Sequence, residues 1–254
     1  MQAFQGALLT GTGNYGSNQH FSLAAKALGF AVFFDGIDGR IARMTNTTSN
    51  FGRELDSLAD VVTFGIAPAI LTYIWGVQFV LAPAEGHLQS HIMRAGYLIA
   101  FFYLLCGAVR LARFNIAPPT PKNPTRPDYK YFVGMPIPAG AGFIAAVVFM
   151  DDSPVRSFGF SVGWLVLVGI ISLLMVSTWR YPSFKQISVS KPRTPLIVLI
   201  VGGIAFLIWE WSQPFLLAAA SAYVMSGIVI RVISFVRRRR RPRPHAQYTE
   251  HQIG

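Results

Sequence analysis

The stretch Asp35-Gly-Ile-Asp38-Gly39-Arg40-Ile-Ala42-Arg43-Met-Thr-Asn-Thr-Thr-Ser49-Asn-Phe-Gly52-Arg53-Glu-Leu-Asp56-Ser-Leu-Ala-Asp60 decides how the rest of the chain is read. It links two apolar runs, 21–39 and 59–82, and carries four aspartates at their facing ends. Asp35 and Asp38 are spaced i, i+3; Asp56 and Asp60 are spaced i, i+4. On helices, each pair projects from one face. The connection is short, so the two pairs can face each other. Four carboxylates at one membrane depth repel strongly, and charge beside hydrocarbon is expensive, which makes a functional reading the default.

The membrane reading follows from composition. The chain has 254 residues, of which 52% are hydrophobic and 13% charged, against about 25% charged in ordinary soluble domains. A helix needs about 20 mostly apolar residues to cross the hydrocarbon core. Seven runs qualify: 21–39, 59–82, 93–113, 132–150, 158–178, 195–211 and 214–236. They are too long and continuous for barrel strands, which alternate. Backbone hydrogen bonds must close within each run, so each is expected to be a helix. The expected fold is all-α: a polytopic transmembrane bundle of about seven helices. Pro68, Pro136 and Pro138 are expected to kink helices or delay their starts. The glycines and alanines of 140–146 and Gly202-Gly203 suit close helix contacts.

A net charge of +11 raises the question of nucleic acid, but the basic residues sit between apolar runs and at the C-terminus. Of 22 Lys and Arg, 19 fall on one side of the expected bundle. Arg94 and Arg156 fall on the other side, and Lys26 lies within the first run. This is the positive-inside pattern, and it places 40–55, 114–131, 179–194 and the tail in the cytoplasm. The polybasic segment 237–243 reads as a topology anchor or a contact for anionic lipid head groups. Cys106 is the single cysteine and lies in an apolar run, so no disulfide framework forms within one chain. The N-terminus lacks the basic start and apolar core of a cleavable signal.

The aspartates call for counter-charge. Hard divalent cations with oxygen ligands supply it, and two of them would suit a diphosphate substrate. Gly39 leaves room for a nucleotide against the backbone. Arg40, Arg43 and Arg53 offer fork-shaped donors for phosphate. A transporter is the rival class, but transporter sites lie toward the bilayer midplane, whereas these aspartates fall at its edge.

The pattern D-x2-D-G-x2-A-R-x8-G-x3-D-x3-D, complete at Asp35, Asp38, Gly39, Ala42, Arg43, Gly52, Asp56 and Asp60, resembles the signature of the CDP-alcohol phosphatidyltransferase family. The resemblance implies displacement of CMP from a CDP-lipid by an alcohol. It implies that Asp35, Asp38, Asp56 and Asp60 hold the metals, Mg2+ or Mn2+ and two in number, with Asp60 also the proton acceptor. Gly39, Arg43 and Ser49 would contact CDP, with Thr47 and Thr48 as alternatives to Ser49. Three later stretches are similar to the phosphatidylserine synthase branch: Gly107-Ala-Val-Arg110-Leu-Ala-Arg113-Phe-Asn115, Gly134-Met-Pro136-Ile-Pro138-Ala-Gly140 and Ser177-Thr-Trp-Arg180-Tyr-Pro182-Ser-Phe184-Lys185. That implies CDP-diacylglycerol and L-serine as substrates, with glycerol 3-phosphate, inositol phosphate and choline as alternative acceptors. Arg110, Arg113, Asn115 and Arg180 are candidates for binding serine or the lipid phosphate. The scattered histidines offer no pair for a covalent phosphohistidine route, which favours direct displacement.

The resemblance also implies a homodimer; the basic-residue pattern turns the site toward the cytoplasm, and the expected location is a bacterial inner membrane. Relatives carry a helix before the first aspartates. Here residues 1–19 hold at most its second half, with 20–236 as catalytic domain and 237–254 as basic tail.

Overall fold

The computed structural model describes residues 18–44, 50–81, 86–116, 131–151, 153–182 and 212–239. Helix α1 runs Asn18–Met44, and α2 runs Asn50–Asp60. A π-helical turn, Val61–Ile66, leads without a break into α3, Ala67–Gly76. Then come α4 (Gly86–Asn115), strand β1 (Tyr131–Val133), α5 (Ile137–Met150), α6 (Phe158–Val176), strand β2 (Arg180–Pro182) and α7 (Ser212–Arg239).

Among the described residues, five helices are long and apolar enough to cross a membrane: His20–Ile37, Glu54–Gly76, His87–Asn115, Phe158–Val176 and Gln213–Arg231. Ile137–Met150 is a shorter apolar helix. Six of the seven expected runs therefore fall on helices, and the run 195–211 lies outside the described residues. The helices are apolar on both sides. Ile137, Ile144, Val148, Val168, Ile171 and Met175 are wholly buried between them, while Phe30, Phe33, Leu98, Phe101, Phe160 and Leu173 are exposed. Outward faces this apolar would be a liability in water. In hydrocarbon they are the expected surface, and the chain is an integral membrane protein.

Helix α5 is the hub: it packs against both α1 and α7, while α4 packs along α6 and against the π turn. The prolines act in two ways. Pro136, at φ −59 and ψ 139, is the N-cap of α5, and Pro138 falls in its first turn. Both positions lack an intrahelical acceptor for an N–H, so proline fits there. Pro68 does not break its helix; it sits just past the π turn.

The structure adds a two-stranded ribbon to the expected all-α architecture. β1 and β2 pair antiparallel, with Phe132 opposite Tyr181 and Val133 opposite Arg180. The run expected as helix from 132 therefore starts as a strand and turns helical only at Ile137. Gly134, at φ +80, makes the bend between them, a conformation that costs a side-chain-bearing residue about 1–2 kcal/mol. Its N–H donates to the Trp179 carbonyl at 2.8 Å.

Candidate active site

Helix α1 delivers Asp35, and α2 delivers Asp56 and Asp60 one turn apart. Their carboxylate oxygens come together, with one from each residue within 4.8 Å of the other two. Asp35 and Asp60 are half-buried and Asp56 is exposed. The i, i+4 spacing thus does what the sequence suggested: it puts two acids of one helix opposite an acid of another. Position 38 lies within the helical course of α1, but the side chains of Asp38 and Arg43 lie outside the described residues, as do Gly39's surroundings. Ser49 lies outside them altogether.

Three acceptor-only groups this close suit a hard divalent cation. Their donor set fits the metal centre implied by the motif: carboxylate oxygens from two helices, one face open to solvent through Asp56. The cluster is able to hold such an ion.

The three later motifs converge on the same end of the bundle, and their polar groups do different jobs. Arg110 is largely buried on α4, within electrostatic reach of Asp60, Tyr223 and Arg113. Its Nε has no hydrogen-bond partner among the described residues. Arg113, one turn on, donates to the Val133 carbonyl at 3.1 Å and the Val176 carbonyl at 3.2 Å. A longer contact reaches the Ser177 carbonyl at 3.5 Å. It ties the end of α4 to β1 and to the end of α6. Asn115 Nδ2 donates to Ser57 Oγ at 2.9 Å, and Ser57 lies between Asp56 and Asp60 on α2. Arg180 sits in β2, its side chain outside the described residues. Gly107 is needed for approach: a Cβ there would press on Ile137 at the start of α5.

Four groups toward this end were not singled out as site residues by the sequence, although Tyr181 lies inside one of the quoted stretches. Ser57 is an unremarked residue between two marked ones. Tyr181 is wholly buried, and its ring stacks at 5.8 Å, tilted by 35°, on Tyr223 of α7. Burial pushes the Tyr181 phenol up to about 12. The fourth is Tyr103 of α4, whose hydroxyl donates to the Phe64 carbonyl inside the π turn at 3.0 Å. These contacts join residues distant in sequence, so no local pattern announces them.

The comparisons with known proteins agree with this geometry. The model of the CDP-alcohol phosphatidyltransferase family matches residues 2–169, a span that contains all four aspartates. A CDP-diacylglycerol–serine O-phosphatidyltransferase of Helicobacter pylori strain J99 is 35% identical over 226 residues, covering 87% of this chain and 83% of that protein. Its counterpart in Helicobacter pylori strain 26695 is 35% identical over 192 residues, covering 74% of this chain and 70% of that protein. One from Methanocaldococcus jannaschii is 36% identical over 156 residues, covering 61% and 62%. With the motif complete, its acids assembled and the family model matched across the spans that hold them, the chain belongs to the CDP-alcohol phosphatidyltransferase family.

Proposed function

We propose that this protein transfers the phosphatidyl group of CDP-diacylglycerol to the hydroxyl of L-serine, giving phosphatidylserine and CMP. The observation that carries the reading is the cluster of Asp35, Asp56 and Asp60 at one end of a bundle of membrane spans. There a lipid-borne diphosphate and a water-soluble alcohol can both arrive. The serine assignment is supported by relatives from bacteria and an archaeon that carry that activity in their names.

Asp35, Asp38, Asp56 and Asp60 would hold two divalent cations, Mg2+ or Mn2+. When bound, these supply positive charge to the diphosphate and to the departing CMP. Gly39, Arg43 and Ser49 hold the CDP moiety. Asp60 accepts the proton of the serine hydroxyl, a weak nucleophile until a placed base assists it. The hydroxyl oxygen bonds to the lipid-side phosphorus as the bond from that phosphorus to the CMP oxygen breaks. Arg110 neutralises developing negative charge, in a setting of low dielectric where fixed charge acts strongly. Arg113, Asn115 and Arg180 frame the acceptor side. Placement of the reactants contributes the larger part of the rate.

The basic-residue asymmetry supports an orientation with this site toward the cytoplasm, and we assign the protein to a bacterial inner membrane. It also supports a basic tail at 237–254 that meets lipid rather than nucleic acid. We assign 20–236 to the catalytic domain and a homodimer as the working form. The test is CMP release by purified protein from CDP-diacylglycerol with Mg2+ or Mn2+, across a panel of alcohols. Release with L-serine is expected. Release only with glycerol 3-phosphate, inositol phosphate or choline would move the acceptor, and no release with any alcohol would sink the transfer itself.

A further inference from the structure

The π turn at Val61–Ile66 has a cause in the sequence and a consequence at the site. Pro68 has no N–H, and in an unbroken α-helix the amide at 68 would close on the Phe64 carbonyl. The proline ring also crowds that carbonyl. Widening to a π turn relieves the clash: the Ala67 N–H closes on the Val62 carbonyl, five residues back. π turns of this kind gather at functional sites. The Phe64 carbonyl is then left without the donor at 68, in a residue that is 2% exposed. Hydrocarbon offers no water to take it. Tyr103, itself wholly buried on α4, donates its hydroxyl there at 3.0 Å.

The turn starts at the residue after Asp60. One extra residue in a helical turn rotates everything before it against everything after it by about 100°. The face of α2 that carries Asp56 and Asp60 is therefore aimed separately from the face of α3 that buries Leu71, Ile74 and Trp75. We infer that Tyr103 is a positioning residue of the acid cluster: by holding the carbonyl that Pro68 leaves open, its hydroxyl fixes the π turn and thereby the bearing of Asp60 toward Asp35. This rests on the transfer function proposed above for the kinetic part of its test, but not for the metal-binding part.

The experiment compares wild type, Tyr103→Phe, Pro68→Ala and the double variant, each as purified full-length protein. Phenylalanine keeps the ring packing and removes only the hydroxyl. Mn2+ affinity, read by electron paramagnetic resonance of the free ion, is expected to fall at least threefold in Tyr103→Phe. Turnover is expected to fall about 10- to 100-fold, the scale of an ångström-sized misplacement, with both KM values within about twofold of wild type. In the Pro68→Ala background the carbonyl regains a backbone donor, so the same Tyr103→Phe change is expected to cost less than about twofold, consistent with coupling through one shared group. Equal losses in both backgrounds would overturn the inference, as would wild-type Mn2+ affinity in Tyr103→Phe. If that variant does not fold, Pro68→Ala alone decides: unchanged Mn2+ affinity and turnover would mean the π turn does not aim the acids. Wild-type protein that binds Mn2+ but releases no CMP with serine would count against the proposed function instead, leaving the Mn2+ comparison to judge Tyr103.

Discussion

Asp60→Asn should make the metal-free protein more stable while abolishing turnover. The sign comes from the cluster. Asp35 and Asp60 are both half-buried with oxygens no more than 4.8 Å apart, so two unit charges there repel by about 3.5 kcal/mol at an effective dielectric near 20. Asp56 is exposed, and its repulsion with Asp60 is closer to 1 kcal/mol, the value in water. Arg110 offsets part of this from the α4 side. The net relief on neutralising residue 60 is then about 2–3 kcal/mol, which for a chain of this size raises the melting temperature by roughly 5–10 °C. The assay is thermal unfolding in detergent with chelator, then with Mg2+ added. In chelator the variant should melt above wild type. With Mg2+ the order should narrow or reverse, because a ligand that binds only the folded state stabilises it in proportion to its affinity. The variant should still bind CDP-lipid. An Asp60→Asn protein that melts below wild type in chelator, and gains as much from Mg2+, would refute the view that these carboxylates are a strained, cation-seeking cluster.

Other residues give sharper tests of packing. Tyr181→Phe removes a buried hydroxyl that has no partner among the described residues, so its thermal stability at pH 8 should equal or exceed wild type's by about 1 kcal/mol. The same group predicts a pH effect: its folded-state pKa of about 12 lies above the ordinary 10.0. Above pH 10 the unfolded chain ionises there while the folded one does not, so up to roughly 2–3 kcal/mol of stability is lost as pH rises toward 12. The drop in melting temperature between pH 9 and 11 should therefore be smaller in Tyr181→Phe. Gly107→Val should collide with Ile137 and destabilise by about 1–3 kcal/mol, seen as a lower melting temperature and poor extraction as folded protein. Asn115→Ala removes the bond to Ser57; turnover should fall several-fold with a stability loss of about 1 kcal/mol, and Asn115→Asp, which can only accept from the Ser57 hydroxyl and brings another negative charge toward Asp56 and Asp60, should not restore it.

What the sequence made legible was whatever repeats locally. The acids at 35, 56 and 60 were readable because helical spacing alone puts them on shared faces, and the loop between the helices is short. The spans were readable because hydrocarbon demands length and apolarity at every depth. Pro136 and Pro138 marked a helix start because the first turn needs no N–H. The same logic gave only a vague expectation at Pro68, since a mid-helix proline can break, kink or widen a helix. Which of these happens depends on whether another element can satisfy the freed carbonyl. That element is Tyr103, 39 residues away. The β1–β2 ribbon was hidden for a related reason: three residues per strand carry too little alternation to stand out at the edges of apolar runs.

Arg110 and Arg113 show where pattern stops and structure must decide. They lie one turn apart on α4 and were equal candidates for an anionic ligand. Arg113 turns to backbone carbonyls of β1 and α6, and polar side chains toward the other end of α6 and on α3 also close backbone groups. Trp164 donates to the Thr72 carbonyl, Ser161 to the Gly76 carbonyl and Trp75 to the Asp151 carbonyl. In a membrane this is how polar side chains are made compatible with burial, each closing a backbone group that water cannot reach. The neutral hydroxyls without a partner among the described residues, at Thr72 and Tyr181, cost less than an unpaired buried charge would. The imbalance that remains is ionic: three carboxylates crowded together, and beside them Arg110, whose Nε has no partner among the described residues. Local rules of a fold tend to fail where function needs them to. Here they fail at one end of the bundle, with both signs of charge, in the arrangement that a cation-bound diphosphate would complete.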